Sequence, residues 1–145
     1  MGQLTATRDF AASAEDVWNL ASDPNNFEKW LTLHQKWKGD IPAELSVGTQ
    51  LTEVISMMGM PNTITWTVDD YDAPKTLSIS GTGMAGVQVA ISLAATPTDS
   101  GSTFDLSCSF EGQMIVGALG KAIEKQGAAE LESSLENFAA LLGQA

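Results

Sequence analysis

The chain has 145 residues, enough for one domain with a core of its own, and residues 1–145 read as that single unit. Seven Lys+Arg against eighteen Asp+Glu leave a net charge of −11 with no basic run or stripe, so nucleic acid and anionic membrane surfaces are excluded as expected partners. No stretch approaches the roughly 18 apolar residues of a spanning helix, and no integral membrane association is expected.

The N-terminus, MGQLTATRDF, lacks the basic and apolar regions of a signal peptide. Ala6 also stands where a myristoylation motif needs Ser or Thr. Within it, Leu4, Ala6, Arg8 and Phe10 alternate with Thr5, Thr7 and Asp9, the two-residue period of a half-buried strand. Ser13 opens a helix with Asp16 as its capping-box partner, and Val17, Trp18 and Leu20 form its apolar side. A second helix start follows in SDPNNFEKW, where Asp23 caps and Pro24 suits the first helical position. WLTLHQKW (30–37) is expected on that helix or just past its end. At helical spacing Trp30, Leu33, His34 and Trp37 share one face.

Gly39 to Gly48, with Pro42, reads as a connection. Short runs rich in Thr, Val, Ile and aromatics then follow: TQLTEVISMM, NTITWTVDDY, KTLSIS, GVQVAISLAA and STFDLSCSF. Turn chemistry separates them. Ile64, Trp66 and Val68, then Leu77 and Ile79, Val87 to Leu93, and Phe104 to Phe110 recur at every second position. That pattern predicts an antiparallel sheet with one apolar and one wet face. From about Ile115 to Leu142 the period becomes helical, with Val116, Leu119, Ile123, Leu131, Leu135, Phe138 and Leu142 on one broad side.

Several features admit two readings. Gly117, Gly120 and Gly127 weaken the first half of the last helix by about 1 kcal/mol each. They serve either close packing on the sheet or a loosened segment over a space that admits a guest. Met57, Met58 and Met60 surround the turn GMPN, with Met84 and Met114 at other junctions. They form either hairpin tips folded on the core or an adaptable rim around one opening. Arg8 and Glu53 sit on the apolar parity of their strands. They are either turned to solvent or polar fixtures in a cavity, where Glu53 would serve as a proton donor. His34 is either a satisfied structural histidine or a general base.

Other chemistries fail on inspection. GTGMAG (81–86) matches G-x-G-x-x-G but precedes a strand pattern, so it is no dinucleotide fingerprint. The chain also lacks V-A-I-K, H-R-D, D-F-G and G-x-S-x-G. One His and one Cys cannot fill a zinc shell, so neither metal nor cofactor is expected. Cys108 shares the apolar parity of its strand and reads as a buried small hydrophobe. A lone cysteine and no signal peptide make the cytoplasm the expected compartment.

FAASAEDVWNLASDPNNFEKW and the order of elements resemble the START-like, helix-grip superfamily often called SRPBCC, which includes polyketide cyclase/dehydrase-like proteins and lipid carriers. Ser13 stands where that family usually has proline. WLTLHQKW, GMPN, ITW, the G-x-G and LESSLENF look like a small actinobacterial subgroup, some of whose members are labelled toxins of toxin–antitoxin pairs. The resemblance covers the whole chain. It implies an α+β fold in which a seven-stranded antiparallel sheet wraps around a long C-terminal helix, with two short helices after strand 1. It also implies a deep apolar cavity between sheet and helix.

The primary expectation is binding of a hydrophobic small molecule, lipid or polyketide-like, in that cavity. Trp30, His34 and Trp37 would line a wall, and Trp66 and Phe110 the floor. Met57, Met60, Met84 and Met114 would form the rim, and Leu119 with Ile123 the lid. The alternatives are a cyclase, aromatase or dehydratase using His34 and Glu53 as acid and base, and a protein-partner role as in a toxin–antitoxin pair. No partner is identified by the chain itself.

Overall fold

The computed structural model describes residues 2–42, 44–57, 60–83, 86–112 and 117–143. Strand β1 (Gly2–Phe10) leads into α1 (Ala14–Ala21), a 3-10 turn (Pro24–Asn26) and α2 (Phe27–Trp30). Six strands follow: β2 (His34–Lys38), β3 (Gln50–Met57), β4 (Met60–Asp72), β5 (Thr76–Thr82), β6 (Gln88–Thr98) and β7 (Gly101–Glu111). The chain ends in α3 (Gly117–Leu141). The seven strands form one antiparallel sheet in the order β1-β7-β6-β5-β4-β3-β2. Consecutive hairpins build six of them, and β1 closes onto β7 once the intervening helices have crossed the inner face.

The period-two alternation is what assigns the faces. On β7, Ser102, Phe104, Leu106, Cys108 and Phe110 are buried while their alternates are half-buried. Ser13 caps α1 as its sequence predicts, its Oγ accepting the Asp16 N–H at 3.1 Å. Asp23 does the same for the 3-10 turn through the Asn25 N–H at 3.0 Å.

Helix α3 packs on β1 and α2, and its two halves differ. The second half buries Leu131, Ser134, Leu135, Phe138 and Ala139, while the first buries only Gly120 and Gly127. Phe138 is fully enclosed, its ring 4.8 Å from Phe104, 5.2 Å from Trp30 and 5.5 Å from Phe10. Burying a side chain of this size contributes about 1.5–3 kcal/mol, so this aromatic cluster is the main anchor of the helix. A polar clasp adds to it. The Thr32 N–H donates to Ser134 Oγ at 3.0 Å, and Thr32 Oγ1 donates to the Glu130 carbonyl at 3.0 Å and meets the Glu130 carboxylate.

Two expectations change and one open alternative is settled. Helix α2 stops at Trp30, because Leu31 is extended (φ −81, ψ 105) and Thr32 is held by α3. WLTLHQKW therefore leaves the helix and becomes the seventh strand, β2, in place of a helical face. His34 and Trp37 nonetheless share a side, because a bulge between His34 and Lys36 shifts the register by one residue. The second outcome concerns Gly127, where the close-packing alternative holds and no expectation is overturned: a Cβ there would overlap Leu4 Cδ1 of β1. Third, Gly117 has φ +58 and starts the helix from a left-handed conformation, so it is no interior helix residue.

Candidate functional site

A polar group sits inside the apolar face where β2, β3 and β4 meet. Glu53 follows Leu51 and precedes Ile55 on the inner parity of β3, and all three are buried. The Glu53 side chain is 0 % exposed, a placement that costs several kcal/mol unless both oxygens are met. Both are. The Trp66 indole N–H donates to Oε1 at 2.8 Å from β4, and His34 Nδ1 is bonded to Oε2 from β2. Cross-strand geometry explains the meeting: Glu53 pairs with Ile64 and Trp37, and Trp66 lies diagonal to it, two residues beyond Ile64.

The His34 ring is nearly as enclosed, at 3 % exposure, with Phe27 and Trp37 beside it at centroid distances of 6.4 and 5.2 Å. The bond through Nδ1 fixes the orientation of the imidazole. No described residue bonds Nε2. A carboxylate-oriented histidine with a free second nitrogen is the arrangement a general base requires. Of the two charges on inner parity, Glu53 is thus a polar fixture. Arg8 is half-buried, with its guanidinium 5.9 Å from the Phe10 ring centroid.

The other predicted residues are distributed differently. Trp30 is 1 % exposed in the aromatic cluster under α3, and its indole N–H has no partner among the described residues. Trp37 is tied outward, donating to the Pro24 carbonyl at 2.9 Å. Trp66 and Phe110 lie on the inner face and are 0 % and 1 % exposed. At Gly81, β5 approaches β4 so closely that a Cβ would fall 2.6 Å from Ile64 Cγ2 and overlap the Thr65 carbonyl. Of the two residues expected in a lid, Leu119 is 44 % exposed and Ile123 is half-buried. Met57 and Met60 pair across the β3–β4 hairpin. Their side chains, with Met84 and Met114, lie outside the described residues.

Two pockets lie elsewhere. One of ≈ 350 Å³ spans β5, β6 and β7. Its lining mixes both parities, Ser80, Thr82, Gln88, Ala90, Ser109 and Glu111 with the inner-face positions Gly81, Val89 and Phe110. The other, ≈ 420 Å³, lies between Asp23, Asn25, Glu44 and Tyr71. Neither is lined by Glu53, His34 or Trp66 themselves. Among the described residues no three His, Cys, Asp or Glu side chains converge as a metal set, and no helix is long and apolar enough to cross a membrane.

Burial at Cys108 pushes its thiol up to about 11. The thiol therefore stays neutral at neutral pH, and the stability this contributes is present below pH 9 and lost as pH rises towards 11. Native protein at pH 8 is expected to resist a thiol reagent and to react stoichiometrically in denaturant. Rapid native labelling would contradict this placement.

The sequence reading missed Thr32, Glu130 and Ser134. One signal existed: Ser134 interrupts the apolar stripe of Leu131, Leu135 and Phe138 at an inward position. A second was the rule that a buried indole needs an acceptor, which pairs Trp66 with the nearest inward carboxylate.

The comparisons extend over the full architecture. The sequence model of a family described as polyketide cyclase/dehydrase and lipid transport matches residues 1–143. A Mycobacterium tuberculosis protein named as uncharacterized is 32% identical over 143 residues, covering 99% of this chain and 100% of that one. Another protein of that organism, named as a toxin, is 30% identical over 138 residues, covering 95% and 96%. A solved structure of a START superfamily protein from Mycobacterium smegmatis superposes with a TM-score of 0.77 at 19% identity, covering 97% and 98%. At that identity the likeness concerns the fold alone.

Proposed function

The chain belongs to the polyketide cyclase/dehydrase and lipid transport family, and from that membership we propose that it binds an apolar small molecule, lipid or polyketide-like, between the inner face of the sheet and the first half of α3. The observation that carries this reading is the uneven anchoring of α3. Its large buried side chains all lie from Leu131 onward, while its first half contributes Gly120 and Gly127 to the interior. A segment held by so few apolar contacts opens at lower free energy than the fold as a whole. A guest entering there meets Ile64, Trp66, Ile79 and Ile91, with the Glu53–His34 pair as a polar contact. Mostly apolar walls with few polar groups are what such ligands require.

The test is native mass spectrometry of freshly purified protein, followed by titration of lipids and aromatic polyketide-like compounds against tryptophan fluorescence. Retained mass or saturable quenching by a member of the panel is expected. A bare protein with no response across the panel counts against the reading.

The Glu53–His34 geometry favours a second reading, an enzyme of the cyclase or dehydratase type in which His34 Nε2 takes a proton from an enolisable substrate. Glu53→Gln would then fold but lose turnover, because an amide facing Nδ1 moves the ring proton onto Nε2. The toxin-named relative supports a protein-partner role, which co-expression with the adjacent gene product and pull-down would reveal.

A further inference from the structure

We infer that Thr32 is a positioning residue for His34: it seats the turn Leu31–His34 on α3, and that seat sets the imidazole against Glu53. The inference rests on the binding reading only in that it concerns the same polar contact, which the clasp holds in place while the first half of α3 opens. The His34 N–H donates to the Leu31 carbonyl at 3.0 Å, which closes the turn with Thr32 and Leu33 at its centre. Leu31 and Leu33 are buried. Thr32 is bound to α3 twice, its N–H donating to Ser134 Oγ and its Oγ1 meeting Glu130. One turn therefore carries the helix contact in its middle and the Glu53 contact at its end.

Pairing in the sheet does not by itself fix how the chain enters β2. His34 is the first residue of that strand, and the register shifts between it and Lys36. On the sheet side the entry is held by the pairing with Ile55 and by the Ser56 N–H, which donates to the Leu33 carbonyl at 2.8 Å. A bulge bends its strand, so the entry angle needs a second restraint, and the turn supplies it from the helix side. Its seat there is Ser134, 0 % exposed within the apolar stripe of Leu131, Leu135 and Phe138. That hydroxyl accepts from Thr32 and donates to the Glu130 carbonyl at 2.8 Å, whereas alanine in its place would leave the Thr32 N–H unmet. The clasp also stands where the two halves of α3 join, since Glu130 follows Gly127 and precedes Leu131. Opening of the first half ends there, and the His34 turn stays with the anchored half. Supporting contacts of this kind are what hold a functional side chain to its geometry.

Three variants test this. Thr32→Val removes the hydroxyl and keeps the branched shape, Ser134→Ala removes the acceptor on α3, and Thr32→Ser keeps both links. His34 is the sole histidine of the chain, so its imidazole ¹⁵N resonances are read directly, and the Trp66 indole N–H reports on the Glu53 oxygen it meets. No aromatic ring is removed in any variant, so a moved resonance reports a displaced group. In ligand-free protein Thr32→Val and Ser134→Ala are each expected to shift or split the His34 resonances and to move the Trp66 cross-peak. Thr32→Ser is expected to return both to their wild-type positions. Folded Thr32→Val and Ser134→Ala variants with both resonances unmoved would overturn the inference, as would a Thr32→Ser variant that behaves like Thr32→Val. Loss of the fold in both Thr32→Val and Ser134→Ala would also overturn it, because the clasp would then support the helix and nothing finer. No guest is present in any arm, so none of these outcomes bears on whether a guest binds.

Discussion

Glu53→Ala is expected to destabilise the fold by about 3–5 kcal/mol in urea unfolding, the combined cost of two buried donors left unmet and of the void left by the side chain. The carboxylate is fully enclosed and satisfies two donors at once, Trp66 Nε1 and His34 Nδ1. Alanine would strand both in an apolar surround and leave a void between β2 and β4. Glu53→Gln retains the shape and one acceptor oxygen for Trp66. Its amide then faces Nδ1, which the neutral imidazole meets by moving its proton to Nε2, and the cost falls to about 1 kcal/mol. An alanine variant as stable as the glutamine variant would show that this group is not the closed network described.

Gly81→Ala is expected to cost about 3 kcal/mol, the upper range for overpacking an interior. In a chain of this length that lowers the melting temperature by about 6–12 °C. The added Cβ meets Ile64 Cγ2 at 2.6 Å and overlaps the Thr65 carbonyl of the neighbouring strand. A side chain could rotate away, but a backbone oxygen moves only with its strand. Ile64→Ala in the same chain should therefore rescue little. Gly127→Ala is the contrasting case, because its Cβ meets the far end of Leu4, which can turn aside. Equal melting temperatures for the two glycine variants would show that the backbone of β4 does not crowd Gly81 as described.

The sheet was legible in the sequence because its inner face is continuous. Ile64, Trp66, Ile79, Ile91, Leu106 and Phe110 alternate without interruption, and each is buried. The resemblance supplied a seventh strand that residue patterns alone did not locate. That strand lies in WLTLHQKW, whose spacing suits a helix, and tertiary contacts from Ser134 and Glu130 to Thr32 override the local period. A bulge then returned His34 and Trp37 to one side, so the shared face survived while the element changed. At the site, the inward parity of Glu53 was readable, but its partners were not. They come from strands 19 residues before it and 13 after it in the chain, and such pairings depend on register and bulges that a linear pattern does not encode.

The proposal stands on a long helix fastened at one end and only lightly held at the other. Amide hydrogen exchange along α3 tests that most directly. Residues 117–127 should exchange on the order of 100-fold faster than residues 131–139, and should slow when an apolar ligand is bound. Uniform protection along the helix, unchanged by every ligand offered, would mean that the interior stays shut and that no guest enters by this route.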